Sequence, residues 1–290
     1  MTNFIKKAPF FILSFLFLSG CSVNKLAIKT TGSIIEYGMD ALMEESDLVF
    51  AKESAPANLK LLEGLIKGDP ENVTLLISAV KGFSSYTLAF LEDEDKERAK
   101  LFYNRGKEYG LRVLLKNRQF NETFKKNIDS FNKSLQSFKK DDVPALFWTG
   151  FAWGNWINLN LDLPEALIDI PKVEAIMMRV MELDESYYYG SVHLFFGVSY
   201  GSRSAILGGN LEKSKEHFDR AIKISDGNFL IGYFYKAKYY AIPTQDKELF
   251  ENLINKVIST PSDVLPEQRL VNEVAKVKAK KLLSQIDEYF

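Results

Sequence analysis

Cys21 is the only cysteine in a chain of 290 residues, and it follows a short apolar run that ends Leu18-Ser19-Gly20. With no second thiol an internal disulfide is impossible. A lone exposed thiol in an exported protein is a liability that modification removes. Ser199 is a second candidate nucleophile, because Gly197-Val198-Ser199-Tyr200-Gly201 spells G-x-S-x-G. That motif works only where a strand turns sharply into a helix. Here it lies inside a helical pattern, with no strand-helix alternation around it, and His217 is the sole histidine downstream. Close helix crossing explains small residues at 197 and 201 better than hydrolysis does. Metal chemistry finds two histidines and no H-E-x-x-H. The acidic run Glu92-Asp93-Glu94-Asp95 reads as a solvated loop entering a helix, and nothing in it enforces a coordination geometry. No catalytic residue, cofactor or metal is assigned.

Two aromatic groups are candidates for binding instead. Phe147 to Asn160 is apolar around most of its circumference. At 100° per residue, Trp148, Trp153 and Trp156 gather on one side, with Gly150 and Gly154 opposite. An all-round apolar helix is usually a core helix. The sharper alternative is that part of the tryptophan face walls a ligand cavity. The glycines would let another backbone approach closely. The second group, Tyr189, His193, Phe196, Tyr200 and Arg203, falls along one side of the next long helix. Arg203 there either clasps a ligand carboxylate in two parallel hydrogen bonds or satisfies carbonyls at the helix C-terminus. His193 alone reads more readily as a packed, hydrogen-bonded histidine than as a base.

The elements that carry these residues begin with a leader. Lys6 and Lys7 precede the apolar stretch Phe10 to Leu18. A charged, then apolar, then small-residue order is a secretory signal, and the apolar part falls short of the roughly 20 residues that span a bilayer. Leu18-Ser19-Gly20-Cys21 resembles the lipobox of bacterial lipoproteins, in which the cysteine is lipidated and the chain is cut just before it. The organisation expected is therefore a signal peptide over 1–20, a lipidated N-terminus and tether over 21–32, and a helical domain over 33–290. Ser22, with no Asp at that position, points to the outer membrane by the enterobacterial sorting rule. A protein so anchored sits on the periplasmic side of the cell envelope.

Residues 1–20 hold two lysines and no acid, so the chain after cleavage carries 35 basic and 38 acidic residues and a formal charge of −3. Nucleic-acid binding wants a basic stripe, which is missing. No second long apolar segment stands out, so the body should be soluble. From Ser33 onward apolar residues recur at three- and four-residue spacing. Turn chemistry interrupts them at Gly68-Asp69-Pro70, Asn117, Asp141-Asp142-Val143-Pro144, Asp162-Leu163-Pro164, Gly208-Gly209-Asn210, Asp226-Gly227-Asn228, Pro243 and Pro261. The pattern predicts an all-α chain of helix hairpins.

Phe218, Ala221 and Asp226 fit the second helix of a tetratricopeptide repeat, whose period is about 34 residues. Units ending at 70, 117, 185, 226 and 261 are spaced too unevenly for a standard array. The expected architecture is an irregular tetratricopeptide-like solenoid, in which stacked hairpins bury faces that none could bury alone. A generic helical bundle is the alternative.

Further motifs carry a more specific resemblance. Asp141-Asp142-Val143-Pro144-Ala145-Leu146-Phe147-Trp148, Gly150-Phe151-Ala152-Trp153-Gly154-Asn155-Trp156-Ile157 and Leu183-Asp184-Glu185-Ser186-Tyr187-Tyr188-Tyr189-Gly190 are the clearest stretches. Leu207-Gly208-Gly209-Asn210, Glu216-His217-Phe218-Asp219-Arg220-Ala221, Gln245-Asp246-Lys247-Glu248-Leu249-Phe250, Arg269-Leu270-Val271-Asn272 and Ala279-Lys280-Lys281-Leu282-Leu283 continue it. Together they resemble the T-component family of tripartite ATP-independent periplasmic (TRAP) transporters. Ser204-Ala205 depart from it, standing where the family often has a proline. The resemblance implies a helical repeat lipoprotein, a homotrimer, a periplasmic solute-binding protein as partner, and a cavity or pore through each subunit for a small apolar or carboxylate ligand. It implies no catalytic activity. An envelope scaffold unrelated to transport is the competing reading.

Overall fold

The computed structural model describes residues 34–290. The signal peptide, Cys21 and the tether lie outside the described residues. Every regular element from residue 34 on is helical, and the chain is all-α as expected. A short helix α1 (34–43) leads into α2 (Leu48–Gly68), α3 (Val73–Tyr86), α4 (Lys96–Leu114), α5 (Arg118–Thr123), α6 (Ile128–Leu135) and α7 (Val143–Asn158). Then come α8 (Pro164–Asp184), α9 (Tyr187–Ser202), α10 (Leu211–Ile224), α11 (Ile231–Lys236), α12 (Lys247–Ser259), α13 (Arg269–Leu283) and α14 (Ile286–Tyr289).

Local chemistry sets most helix starts. Asp47, Asn72, Asp95, Asn117, Asn127, Asn210 and Asp246 each accept backbone N–H groups of the first turn with the side-chain oxygen. Those N–H groups have no partner inside the helix, and each such cap contributes about 1 kcal/mol. Pro144 and Pro164 sit in the first turns of α7 and α8, where a missing N–H costs nothing. Two proline positions gave no boundary: Pro56 and Pro171 lie inside α2 and α8.

Two helices end in wide turns. α3 runs on into a π-helical turn at Thr87–Leu91, and α11 into another at Ala237–Ala241. π-turns are rare and concentrate at functional sites. The segment Val73–Leu91 is also long and apolar enough to cross a membrane by length and composition, against the reading that no such segment follows the leader. Most of it is buried within the protein core.

Consecutive helices pack as layers: α2 on α3, α3 on α4, α7 on α8, α9 on α10, α12 on α13. Three apolar cores result. The middle one is built round α7, with Leu146, Phe147, Ala152 and Trp153 buried. The C-terminal one gathers Phe218, Leu230, Phe250 and Ile254. The N-terminal one holds Leu62, Leu75, Leu76 and Phe83, and it also takes Leu270 from α13. The layers therefore curl until the last long helix meets the first hairpin. Arg269 Nη1 donates to Glu44 O at 3.1 Å, and Lys278 pairs with Glu92 and Asp93 at the end of the first π-turn. These contacts close the helical layers round a central space.

Small residues permit the closeness. A Cβ on Gly201 would stand 2.2 Å from the Tyr239 carbonyl oxygen, so α9 meets the second π-turn backbone to backbone. Close helix crossing is thus the role of that glycine. The glycines of α7 work differently. A Cβ on Gly150 would meet Met177 Sδ at 2.5 Å and one on Gly154 would meet Phe195 Cε2 at 2.6 Å. They make room for side chains of α8 and α9 rather than for another backbone.

Candidate functional site

The central space is a cavity of about 350 Å³. Its wall is drawn from α3 and its π-turn, α7, α9, α11 and its π-turn, and α13, with Met43 at one side. That size suits a small-molecule site. Its two ends differ in chemistry.

One end is aromatic. Phe147, Trp148 and Phe151 of α7 face Tyr188 and Phe195 of α9, and Phe229 lies beyond. Trp148 and Tyr188 rings meet edge to face with centroids 4.9 Å apart, and Tyr188 meets Phe229 at 5.9 Å. Such pairs add about 0.5–1.5 kcal/mol each beyond their buried area. Leu194 and Val198 fill the gaps.

The other end is charged and hydroxyl-rich. Glu92 and Asp93 directly follow the first π-turn, Lys238 and Tyr239 belong to the second, Tyr235 to α11 and Lys278 to α13. The Lys278 ammonium, itself buried, lies 3.7 Å from Glu92 and donates to Asp93. Tyr103 donates its hydroxyl to Glu92 at 2.8 Å. Burial raises the Glu92 pKa above the ordinary carboxylate value, and the Lys278 charge offsets this only in part. Burial also works against ionisation of Asp93. There Lys278, Lys238 and Lys281 outweigh it and hold the pKa below normal. Burial, with Glu92 nearby, raises the phenols of Tyr235 and Tyr239, so both keep their protons at neutral pH.

The eight aromatic and cationic candidates divide sharply. Trp148 lines the cavity, and its indole N–H donates to the Tyr187 hydroxyl at 3.2 Å. The other seven are not among the lining residues. Trp153 turns to α8 and donates to Asp169 at 3.2 Å. Trp156 carries the Lys107 ammonium 4.1 Å above its ring. Tyr189 donates to Glu267 at 3.1 Å. His193, Phe196 and Tyr200 face α10, where all three rings pack on His217. Arg203 caps α9 and pairs with Glu174 of α8, so its guanidinium is engaged within the protein. The cavity face of α9 is instead Ser191, Leu194, Phe195, Val198 and Ser199. Because α9 is apolar round nearly its whole circumference, periodicity offers two stripes and does not say which one turns inward.

Ser199 lies mid-helix in α9 and accepts from Arg203 Nη2 at 3.0 Å. The strand-to-helix turn of a nucleophile elbow is not its setting. The two histidines pair with each other, Nδ1 to Nδ1 at 2.9 Å, and His193 Nε2 reaches Glu185 at 3.0 Å. An ionised Glu185 accepts only, so His193 donates from Nε2. Its Nδ1 then accepts from His217. Arg220, with His193, lowers the Glu185 pKa to about 2, and burial next to His193 lowers that of His217 to about 4. Burial also depresses His193, despite Glu185.

Residues 188–190 carry a feature that no spacing rule reveals. Tyr188, Tyr189 and Gly190 all have positive φ, at 47°, 59° and 72°. A left-handed conformation costs an L-residue about 1–2 kcal/mol. Hydrogen bonds hold the two tyrosines there: Tyr188 donates to Gln268 at 2.8 Å and Tyr189 to Glu267, both just ahead of α13. The turn places Tyr188 in the cavity wall and ties α9 to the closing helix. Strain of this kind persists where surrounding structure over-determines it. A second, apolar cavity of about 200 Å³ lies among α1, α2 and α3 and shares Met43, Ser85 and Leu270 with the first.

A protein of Treponema pallidum (strain Nichols), bearing only the name "Uncharacterized protein", is 24% identical over 320 aligned residues that span 99% of this chain and 98% of the relative. The family described as TRAP transporter T-component matches residues 44–290, which include both π-turns, the aromatic wall and the closing helix. The chain belongs to the TRAP transporter T-component family and serves as an accessory component of a TRAP transport system.

Proposed function

We propose that the protein is a non-enzymatic, lipid-anchored accessory component that docks the periplasmic solute-binding protein of its TRAP system and holds or passes a small ligand through the central cavity. The observation that carries this is the closure of the helical layers round the cavity by α13, through Leu270 and the Lys278 pair with Asp93. An envelope scaffold for extended peptides would keep an open concave face. Here the returning helix takes up that face. Lipid on Cys21, a place at the outer membrane facing the periplasm, and assembly as a homotrimer belong to the same reading. Two acyl chains anchor stably where one binds marginally, so mobile solute-binding proteins would come to a fixed body.

The test is affinity capture of the lipidated protein from native envelope, with identification of co-purifying proteins. Enrichment of the TRAP solute-binding protein is the expected result. A clean recovery of the chain without that partner, at low salt and in mild detergent, would overturn docking.

A further inference from the structure

We propose that the α5–α6 hairpin lays Lys125, Lys126, Lys133 and Lys139 on an anionic phospholipid surface. The inference goes beyond ligand handling and partner docking. It takes from the reading above only that a bilayer lies within reach.

Overall composition conceals a local excess of positive charge. Residues 112–140 hold eight lysines and arginines and two acids, whereas the chain after residue 20 carries 35 basic and 38 acidic residues. Some of these cations are engaged within the protein. Lys116 pairs with Glu71, Arg118 with Glu122 at 3.4 Å and Lys140 with Asp184 at 3.3 Å, and Arg112 donates to the Pro70 carbonyl. Lys125, Lys126, Lys133 and Lys139 are exposed, and among the described residues they form no ion pair. Asp129 is the one other acid of the hairpin. Asp142, just beyond it, accepts the Lys139 backbone N–H at 2.8 Å. The basic surface missing from the overall composition is thus present on one hairpin.

The hairpin carries these charges on a firm base. Phe120, Phe131 and Phe138 are buried in it, with the Phe131 and Phe138 ring centroids 5.2 and 5.4 Å from that of Phe120. Arg179 of α8 fastens the end of α6, donating to Gln136 at 3.1 Å and to the Phe138 carbonyl at 2.8 Å. The turn between the two helices reads Lys125-Lys126-Asn127-Ile128, and Ile128 is 37% exposed. An exposed apolar residue beside lysines suits the boundary between headgroups and acyl chains. The same face continues onto α8. Lys172 there lies 5.5 Å from the Phe124 ring, and Ile168, one helical turn earlier, is 70% exposed.

Residue type decides among anionic partners. The four cations without an ion pair are all lysines. Lysine is a compact, hydrated point charge without the planar fork that grips one phosphate or carboxylate in two bonds. Protein interfaces deplete lysine and enrich arginine and aromatic side chains. A layer of anionic headgroups asks only for net charge, and each lysine near it strengthens binding about fivefold. A polybasic patch also serves as a second signal beside an acyl chain. It fixes which side of the body meets the bilayer, which lipid on Cys21 alone does not. Residues 22–33 span at most about 40 Å, so anchor and hairpin act on one membrane.

The experiment is co-sedimentation of residues 21–290 carrying Cys21→Ser, which retains every residue of the described fold, with lipid vesicles. One set is phosphatidylcholine alone, the other equal parts phosphatidylcholine and phosphatidylglycerol. At low salt the anionic vesicles are expected to bind about tenfold or more tightly than the neutral ones. The advantage should vanish at about 1 M salt, where the screening length falls to about 3 Å. Lys125→Gln, Lys126→Gln, Lys133→Gln and Lys139→Gln together should remove it, at about fivefold per lysine, with the thermal midpoint unchanged. The same change of charge at the exposed Lys223, Lys247, Lys256 and Lys280 should cost far less. Equal binding of the two vesicle types, binding to neither, or equal loss from the two quartets overturns the assignment. A hairpin quartet that keeps vesicle binding but no longer captures the solute-binding protein gives this face to a protein partner and overturns it as well. Lipidation of Cys21 is read separately, from the N-terminal mass, so the anchor stands or falls independently of this result.

Discussion

Lys278 of α13 donates to the Asp93 carboxylate, which lies 185 residues earlier in the chain at the end of the first π-turn. The pair joins the last long helix to the first hairpin and forms one corner of the cavity mouth. The lysine is 8% exposed, and Glu92 shares it.

Lys278→Ala should cost about 2–3 kcal/mol of unfolding free energy. A fully buried broken pair costs about 3–5 kcal/mol, and the partial exposure of Asp93 reduces that. Chemical denaturation measures the loss. Adding Glu92→Gln and Asp93→Asn should recover part of it, because the stranded charges are then gone. A single mutant within 0.5 kcal/mol of the parent would show that the pair does not hold the closure together.

Gly190→Ala should destabilise by about 1–3 kcal/mol. The position has φ of 72°, and a Cβ there would crowd Ile224 at 3.1 Å. Gly201→Ala should cost a similar amount, about 1–3 kcal/mol, by pressing on the Tyr239 carbonyl. Thermal melts measure both losses.

The histidine pair predicts a pH dependence. Folding lowers the pKa of His217 to about 4 and depresses His193. The unfolded chain therefore binds more protons as pH falls below 6.5, and stability falls with it towards pH 4. Glu185, held at about 2, adds a further loss below pH 4.5. Its contribution too is present at higher pH and disappears on acidification. His217→Phe should flatten the first part of the curve, between pH 6.5 and 4. An unchanged slope there in denaturant titrations would remove the pair as its cause.

Cys21→Ala should abolish incorporation of labelled fatty acid and shift the chain out of the washed membrane fraction, or leave the signal peptide attached if processing stalls. Mass spectrometry of the N-terminus distinguishes these. Full membrane retention without acylation would refute the lipid anchor.

The pattern of helices was legible because the forces that start and stop them are local. Asn72, Asn117, Asn210 and Asp246 mark helix starts, and each cap acts within three residues. The buried role of the segment from Phe147 to Asn160 followed from its lack of a polar face. Pro56 and Pro171 show where local reading weakens, since both sit within helices that tertiary packing sustains.

The sequence by itself determined the all-α class, the hairpin series, the aromatic character of α7 and α9, and the family. Each depends on residue order over a few turns or on motifs that survive without coordinates. Only the tertiary structure decided which side of α9 turns inward, why Trp148 lines the cavity while Trp153 and Trp156 do not, and how Lys238 and Tyr239 come to face Glu92. Those facts depend on the left-handed turn at Tyr188 to Gly190, on the two π-turns, and on the return of α13 to the N-terminal layer. No helical period encodes them, because each is set by contacts between residues far apart in the chain.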